Sequence, residues 1–253
     1  MDKLNIDVSG AVATLTLTRP EKRNAVDAEM ITAIGSFFAD PPPEVRVALL
    51  LAEGDHFCAG LDLSQEVLRT PLGVVDHSRL WHRQLDHVEH GGLPLVTALH
   101  GAVIGGGLEV ALAAHVRVAA PSTFFALPEG SRGIFVGGGG SVRVSHIVGQ
   151  DRMREMMLTG RRLDAAEGQR LGLAHELAED APARARELAE GIARNAPIAN
   201  RLIVTALPRI AEMPRAGGLF TESLTAGISQ TTDDATEGVS AFLEKRPPDF
   251  RGA

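Results

Sequence analysis

The sequence predicts an α/β fold with a strand-rich first half and an all-helical final third. Three observations lead there. Apolar runs of strand length, at 12–18, 45–51 and 95–99, recur between helical patterns in the first half. Small-residue stretches at 58–60 and 105–107 stand where such a run gives way to a helix start. From Ser141 onward strand signals fade and helical patterns follow one another. The 253 residues suit one large domain, or one with a smaller appended element, and the 44% apolar content marks a globular chain.

Taken in order, residues 4–8 and 12–18 read as two strands about a turn at Ser9-Gly10, the second alternating apolar residues with Thr. Pro20 ends that ladder, and Arg19, Lys22 and Arg23 put three cations within five residues, a group that could receive phosphates. Asp27 suits the N-cap of a helix over 28–38, and Pro41-Pro42-Pro43 closes it. A helix is expected over 78–90, strands at 95–99, 116–120 and 123–127, and helices at 142–148, 151–159, 164–170 and 182–194. Asp151 and Asp164 suit N-caps there. Asn195-Ala196-Pro197 marks a boundary, dividing a core of residues 1–195 from a helical region of residues 196–253. Its helices are expected at 198–207, 215–230 and 233–244, the last capped by Asp233 or Asp234.

Composition narrows the function. A net charge of −7, 4% aromatic content and the absence of tyrosine disfavour generic nucleic-acid binding and exclude a catalytic tyrosine. The single cysteine, Cys58, allows no intrachain disulfide and fits a reducing compartment; as a small buried filler it needs no reactive role. His77, His82, His87 and His90 lack the HExxH spacing, so no metal site is expected. The glycine runs match neither a phosphate loop nor a convincing dinucleotide fingerprint. The start, Met1-Asp2-Lys3-Leu4-Asn5, has no apolar leader, and no apolar run approaches the ~20 residues of a membrane span. The expectation is a cytoplasmic protein with no membrane contact.

The stretch with most chemical content is Gly101-Ala102-Val103-Ile104-Gly105-Gly106-Gly107-Leu108-Glu109. Its glycines let another group approach the backbone, and the helix that follows begins with N–H groups lacking intrahelical partners. A developing oxyanion suits that place, with Glu109 in the first turn beside it. A second carboxylate, Glu129, closes a strand just before the glycine-rich loop of residues 130–140.

Five segments in this order resemble the crotonase (enoyl-CoA hydratase/isomerase) superfamily. They are Leu17-Thr18-Arg19-Pro20-Glu21-Lys22-Arg23-Asn24-Ala25, Phe57-Cys58-Ala59-Gly60-Leu61-Asp62-Leu63, the run from Gly101 to Glu109, Phe125-Ala126-Leu127-Pro128-Glu129, and the ending from Asp234 to Phe250. The resemblance implies a spiral of repeated ββα turns followed by a helical trimerisation region, and a homotrimer or dimer of trimers. It implies an acyl-CoA thioester as substrate, with coenzyme A entering as part of it and no separate cofactor. By motif the thioester oxygen falls to the N–H groups of Ala59 and Gly106. Glu109 and Glu129 match the two glutamates that hydratases of this group use, which favours hydration of a 2-enoyl-CoA over isomerisation of a 3-enoyl-CoA or acyl-CoA binding without turnover. Arg23 and Lys245 are the candidates for the coenzyme A phosphates, and Asp62 and Leu63 follow the loop that flanks the adenine. Phe135-Val136 stands where relatives carry a proline, so Phe135 and Leu108 are the residues expected to shape the acyl pocket or its surrounding core.

Overall fold

A computed structural model of the chain describes residues 3–65 and 70–253. The first half lays down strands β1 (Leu4–Ser9), β2 (Val12–Leu17) and β3 (Val47–Ala52), with helix α1 (Ala28–Ala39) between the last two. Helix α2 (Pro71–His90) leads to β4 (Leu95–Leu99), β5 (Ala102–Ile104) and the short α3 (Gly106–Leu112). Next come β6 (Val116–Ala119), β7 (Phe124–Ala126), α4 (Gly140–Val148) and α5 (Gln150–Thr159). Two-residue strands β8 (Leu163–Asp164) and β9 (Glu176–Leu177) flank α6 (Ala165–Arg170). Helices α7 (Ala181–Ala193), α8 (Pro197–Glu212), α9 (Arg215–Gln230) and α10 (Asp233–Glu244) complete the chain.

The strands form two sheets, β1-β2-β3-β4-β6-β9 and β5-β7-β8. The later turns of chain give one strand to each sheet, β4 pairing with β3 and β6 and β5 with β7; in the earlier turns single bridges, Val26 to Leu61 and Cys58 to Val103, stand in the place of the second strand. This is the implied spiral of ββα turns. The corner between β4 and β5 is Gly101, at φ 53°, where a Cβ would sit 2.1 Å from the Asp55 carbonyl. No L side chain fits there, so one apolar run becomes two strands in different sheets.

The middle of the larger sheet is covered on both faces, which explains the nearly unbroken apolar runs of β3 and β4. Ala48 and Leu50 face the main core with α1 and α2, while Val47 and Leu49 face α7. That helix meets the sheet through Ala181, Ala185, Ala189 and Ala193, one every four residues on a single side. Between α1 and α2 the close approach is at Gly35, where a Cβ would lie 2.8 Å from the Gln84 Cα.

Several expectations move. Helix α2 starts at Pro71 rather than 78, capped by Thr70 accepting from the Gly73 N–H. Its first turns carry exposed Leu72, Val74 and Val75, so the buried stripe of Trp81, Leu85 and Val88 marks only the later part. The N-cap of α5 is Gly149, with Asp151 inside the first turn. The N-cap of α10 is Thr232; Asp234 instead accepts the N–H groups of Arg251 and Gly252, at 2.7 and 2.8 Å, and fastens the final residues. Helix α8 continues through Pro208. Cys58 is fully buried, and burial pushes its thiol up to about 12. Among the described residues no helix is long and apolar enough to cross a membrane.

The basic stretch after β2 is a strut. Arg19 reaches Asp62 at 2.8 Å and Asp27 at 3.5 Å, and Lys22 reaches Asp62 at 3.4 Å. Asn24, fully buried and left-handed at φ 54°, donates to the carbonyls of Glu53 and His56 and accepts from the Arg19 N–H. One amide thus ties the loop after β2 to the loop after β3. Replacing Asn24 by Ala leaves these groups buried and unpaired, and each unsatisfied group costs about 1–3 kcal/mol. Chemical denaturation of Asn24→Ala is expected to show at least one such loss.

Candidate active site

The N-terminus of α3 and the loop of residues 58–61 lie against each other. Cys58 donates to the Ala102 carbonyl at 2.9 Å and accepts from the Ile104 N–H at 3.1 Å. Gly107 permits the contact, because a Cβ there would be 2.4 Å from the Cys58 carbonyl. Gly60, at φ 107°, permits it from the other side, 3.0 Å from the Ile104 carbonyl.

Here one assignment by motif fails. The N–H of Ala59 is taken up by the Arg23 carbonyl at 2.9 Å, so it is not aimed at a ligand. Two residues on, Leu61 forms a parallel bridge with Val26, and the bonds of that bridge run through the neighbours: Val26 donates to Gly60 and Asp62 donates to Val26. The N–H of Leu61 therefore faces away from Val26, and among the described residues it has no partner. Its nitrogen is 3.3 Å from the position a Cβ on Gly106 would take. Gly106 is the first residue of α3, whose opening N–H groups lack intrahelical acceptors. The donor pair converging here is Leu61 and Gly106.

Both sit on a cavity of about 310 Å³ whose wall also includes Leu63, Trp81, Glu109, Glu129, Phe135 and Gly138. The two predicted glutamates are thus in one cavity. Glu109 is 4% exposed, and its Oε1 accepts the N–H groups of Gly138 and Gly140 at 2.8 and 2.7 Å. Burial raises its pKa, while those two N–H groups and the Arg143 charge pull it back. Glu129 is 6% exposed and starts a 3-10 turn after β7. Burial raises its pKa too; its own N–H opposes this, and the Glu109 charge adds to the rise. The Oε2 of Glu129 and the indole Nε1 of Trp81 are buried with no hydrogen-bond partner among the described residues.

The glycines at 138 and 140 are the functional residues that sequence reasoning missed. Cβ atoms there would meet Glu109 Oε2 at 2.8 Å and Glu109 Oε1 at 2.9 Å. Their spacing, two residues apart in a run of four, was the available signal. Trp81, whose ring lies 3.2 Å from the absent Gly106 Cβ, and Leu61 were also missed.

The four residues expected at coenzyme A fare differently. Leu63 lines the cavity. Asp62 is buried and saturated by Arg19, Lys22 and Ser64, which hold its carboxyl well below the usual range, so its role in the structure is internal. Arg23 is exposed and adjoins the loop of residues 58–61 through its carbonyl. Lys245 ends α10 in a left-handed conformation and is not part of the cavity wall. Of the two pocket-shaping candidates, Leu108 is fully buried in the core, whereas Phe135 is 69% exposed and lines the cavity.

Comparison with known proteins agrees with this architecture. The family profile described as Enoyl-CoA hydratase/isomerase matches residues 7–253. The chain is 31% identical over 265 residues to the (E)-benzylidenesuccinyl-CoA hydratase of Thauera aromatica, covering 99% of each. It is 34% identical over 250 residues to human enoyl-CoA hydratase domain-containing protein 2, mitochondrial, covering 95% of this chain and 86% of that one. The crystal structure of the enoyl-CoA hydratase of Bacillus anthracis superposes with a TM-score of 0.92 at 30% identity over all of both chains. A solved Rhodopseudomonas palustris chain superposes at 0.93 with 46% identity, covering 96% of this chain and 95% of that one. The chain belongs to the enoyl-CoA hydratase/isomerase family and has the crotonase fold.

The raised glutamates make stability depend on pH. Each folded-state pKa lies above the ordinary 4.5, so the folded chain holds protons that the unfolded chain releases. Stability should therefore fall as pH rises from about 4.5 toward the folded values. Glu129→Gln removes one such titration, and its melting temperature is expected to fall less steeply over that window. Equal slopes for the two proteins would contradict the raised value.

Proposed function

We propose that the protein hydrates a 2-enoyl-CoA thioester to the 3-hydroxyacyl-CoA. The observation carrying this reading is the placement of two raised carboxylates, Glu109 and Glu129, in one cavity with the N–H groups of Leu61 and Gly106. The thioester oxygen accepts from these two N–H groups. As charge develops on it, the donors stabilise the enolate, each worth about 2.7–4 kcal/mol in comparable sites.

The environments divide the acid and base roles. Glu109 has two N–H donors on Oε1 and a cation nearby, so its carboxylate form is the better supported. It takes a proton from the water that attacks C3. Glu129, with an unpartnered oxygen and a carboxylate neighbour, is the better supported in its neutral form and gives a proton to C2. Net addition is one water, and proton transfer from Glu109 to Glu129 resets the pair. Coenzyme A enters with the substrate and no separate cofactor takes part. The exposed apolar side chains of α8 to α10, including Ile203, Leu207, Phe220, Leu224 and Phe242, support association into trimers.

Glu109→Gln and Glu129→Gln are each expected to lower turnover of crotonyl-CoA by about 10²–10⁴-fold. The same proteins are assayed on a 3-enoyl-CoA. Isomerisation outpacing hydration in the wild type, or full hydration by Glu109→Gln, would overturn the reading.

Phe135, together with Ile134, also lines a second cavity of about 410 Å³ that includes Met153, Met157 and Leu158. Phe135→Ala removes the ring between the two spaces. Its activity on long relative to short acyl chains is expected to rise, as a chain-length panel would show.

A further inference from the structure

The loop that holds Glu109 is itself held from behind. The peptide joining Gly137 to Gly138 gives its N–H to Glu109, and its carbonyl accepts the Ser78 hydroxyl at 2.7 Å. The peptide joining Gly139 to Gly140 gives the second N–H to Glu109. Between these two donors lies the peptide of Gly138 and Gly139, and its carbonyl accepts from Arg143 Nη1 at 2.8 Å. Gly139, at φ 98°, leaves room for that guanidinium, which a Cβ would meet at 2.3 Å. Arg143 is in turn fixed by its Nε, 2.7 Å from Glu89 on α2.

We infer that Arg143, held by Glu89, is a positioning residue for Glu109: it locks the peptide between the two glycine donors and so keeps the Glu109 carboxylate turned to the cavity. This rests on the role proposed for Glu109. The arginine fork suits the task because it spans two acceptors in fixed geometry, which a lysine ammonium on a flexible stem does less well. Arg143 also brings a positive charge, which favours the carboxylate form of Glu109. Glu129 faces Glu109 from the 3-10 turn after β7. Behind Arg143, a cavity of about 550 Å³ presents His82, Asp86, Glu89 and His90 from α2, His146 from α4 and Glu212 from α8. Of these, Glu89 makes the direct ion pair.

The test compares kcat, KM and the pH profile of kcat for Arg143→Gln, Arg143→Lys and Glu89→Ala with the wild type, on whichever enoyl-CoA reaction the wild type catalyses. The wild-type rate on a 2-enoyl-CoA thioester decides the hydratase reading by itself. Arg143→Gln is expected to lose about 10–100-fold in kcat, the scale seen for groups that orient the ligands of a metal site, with little change in KM. Its acid limb should move to higher pH, because a cation favouring the Glu109 carboxylate is gone. Arg143→Lys keeps that limb and recovers part of kcat. Glu89→Ala loses rate with the limb unmoved, since the Arg143 charge remains. Folding is followed by thermal melting in parallel. A wild-type rate and limb in Arg143→Gln would overturn the inference. So would a rate loss with no shift of the limb and no recovery in Arg143→Lys, the pattern of a merely structural residue.

Discussion

The site depends on how closely two lengths of backbone approach each other. The loop of residues 58–61 is hydrogen-bonded to β5 through Cys58 and lies directly against the start of α3. Gly60 and Gly107 make this contact sterically admissible. Two N–H groups from distant parts of the chain, Leu61 and Gly106, then converge because nothing stands between them. Every other feature of the cavity is arranged around that pair. Trp81 roofs Gly106, α3 carries Glu109 alongside, and the second glycine loop holds its carboxylate.

A second layer of polar contacts keeps this approach in register. Arg19, Asn24 and Asp62 join the loop after β2, the loop after β3 and the entry to the cavity, and all three side chains are withdrawn from solvent. Buried polar groups of this kind are fully paired or they are costly. The same division of labour recurs behind Glu109, where Ser78 and Arg143 each hold a carbonyl of the glycine loop. Asn24 stands 29 residues from Glu53, Arg19 43 from Asp62 and Ser78 59 from Gly137, whereas Arg143 is five from Gly138.

That distance explains what was legible in the sequence. The strands of the first half, most helices and both glutamates announced themselves through periodicity, glycine placement and position at element ends, all local signals, whereas β8 and β9, two residues each, are too short to carry a period and interrupt a region expected to be helical throughout. The cations at 19, 22 and 23 were read as a phosphate receptor, yet Arg19 and Lys22 answer to Asp62, some 40 residues away. The outward-facing N–H expected at Ala59 lies two residues on, at Leu61. Ala59 and Leu61 both lie in the small-residue loop, and only the bridge to Val26 decides which N–H turns outward. The N-cap of α10 moved to Thr232 because Asp and Thr compete for the same role, while α5 starts after Gly149 with no side-chain cap. The start of α2 was hidden for another reason: its first turns bury little, so no apolar stripe marks them.

One feature bears on how the protein can be handled. Cys58, the chain's single cysteine, is sealed beneath the 58–61 loop with its thiol pushed up to about 12. At neutral pH it offers almost no thiolate and no access to reagents. The native surface is therefore blind to thiol chemistry, and a cysteine introduced at any exposed position becomes the sole attachment point for a fluorophore or spin label. The glycine loop above the cavity could be observed in motion that way without first stripping the chain of its own sulfhydryl.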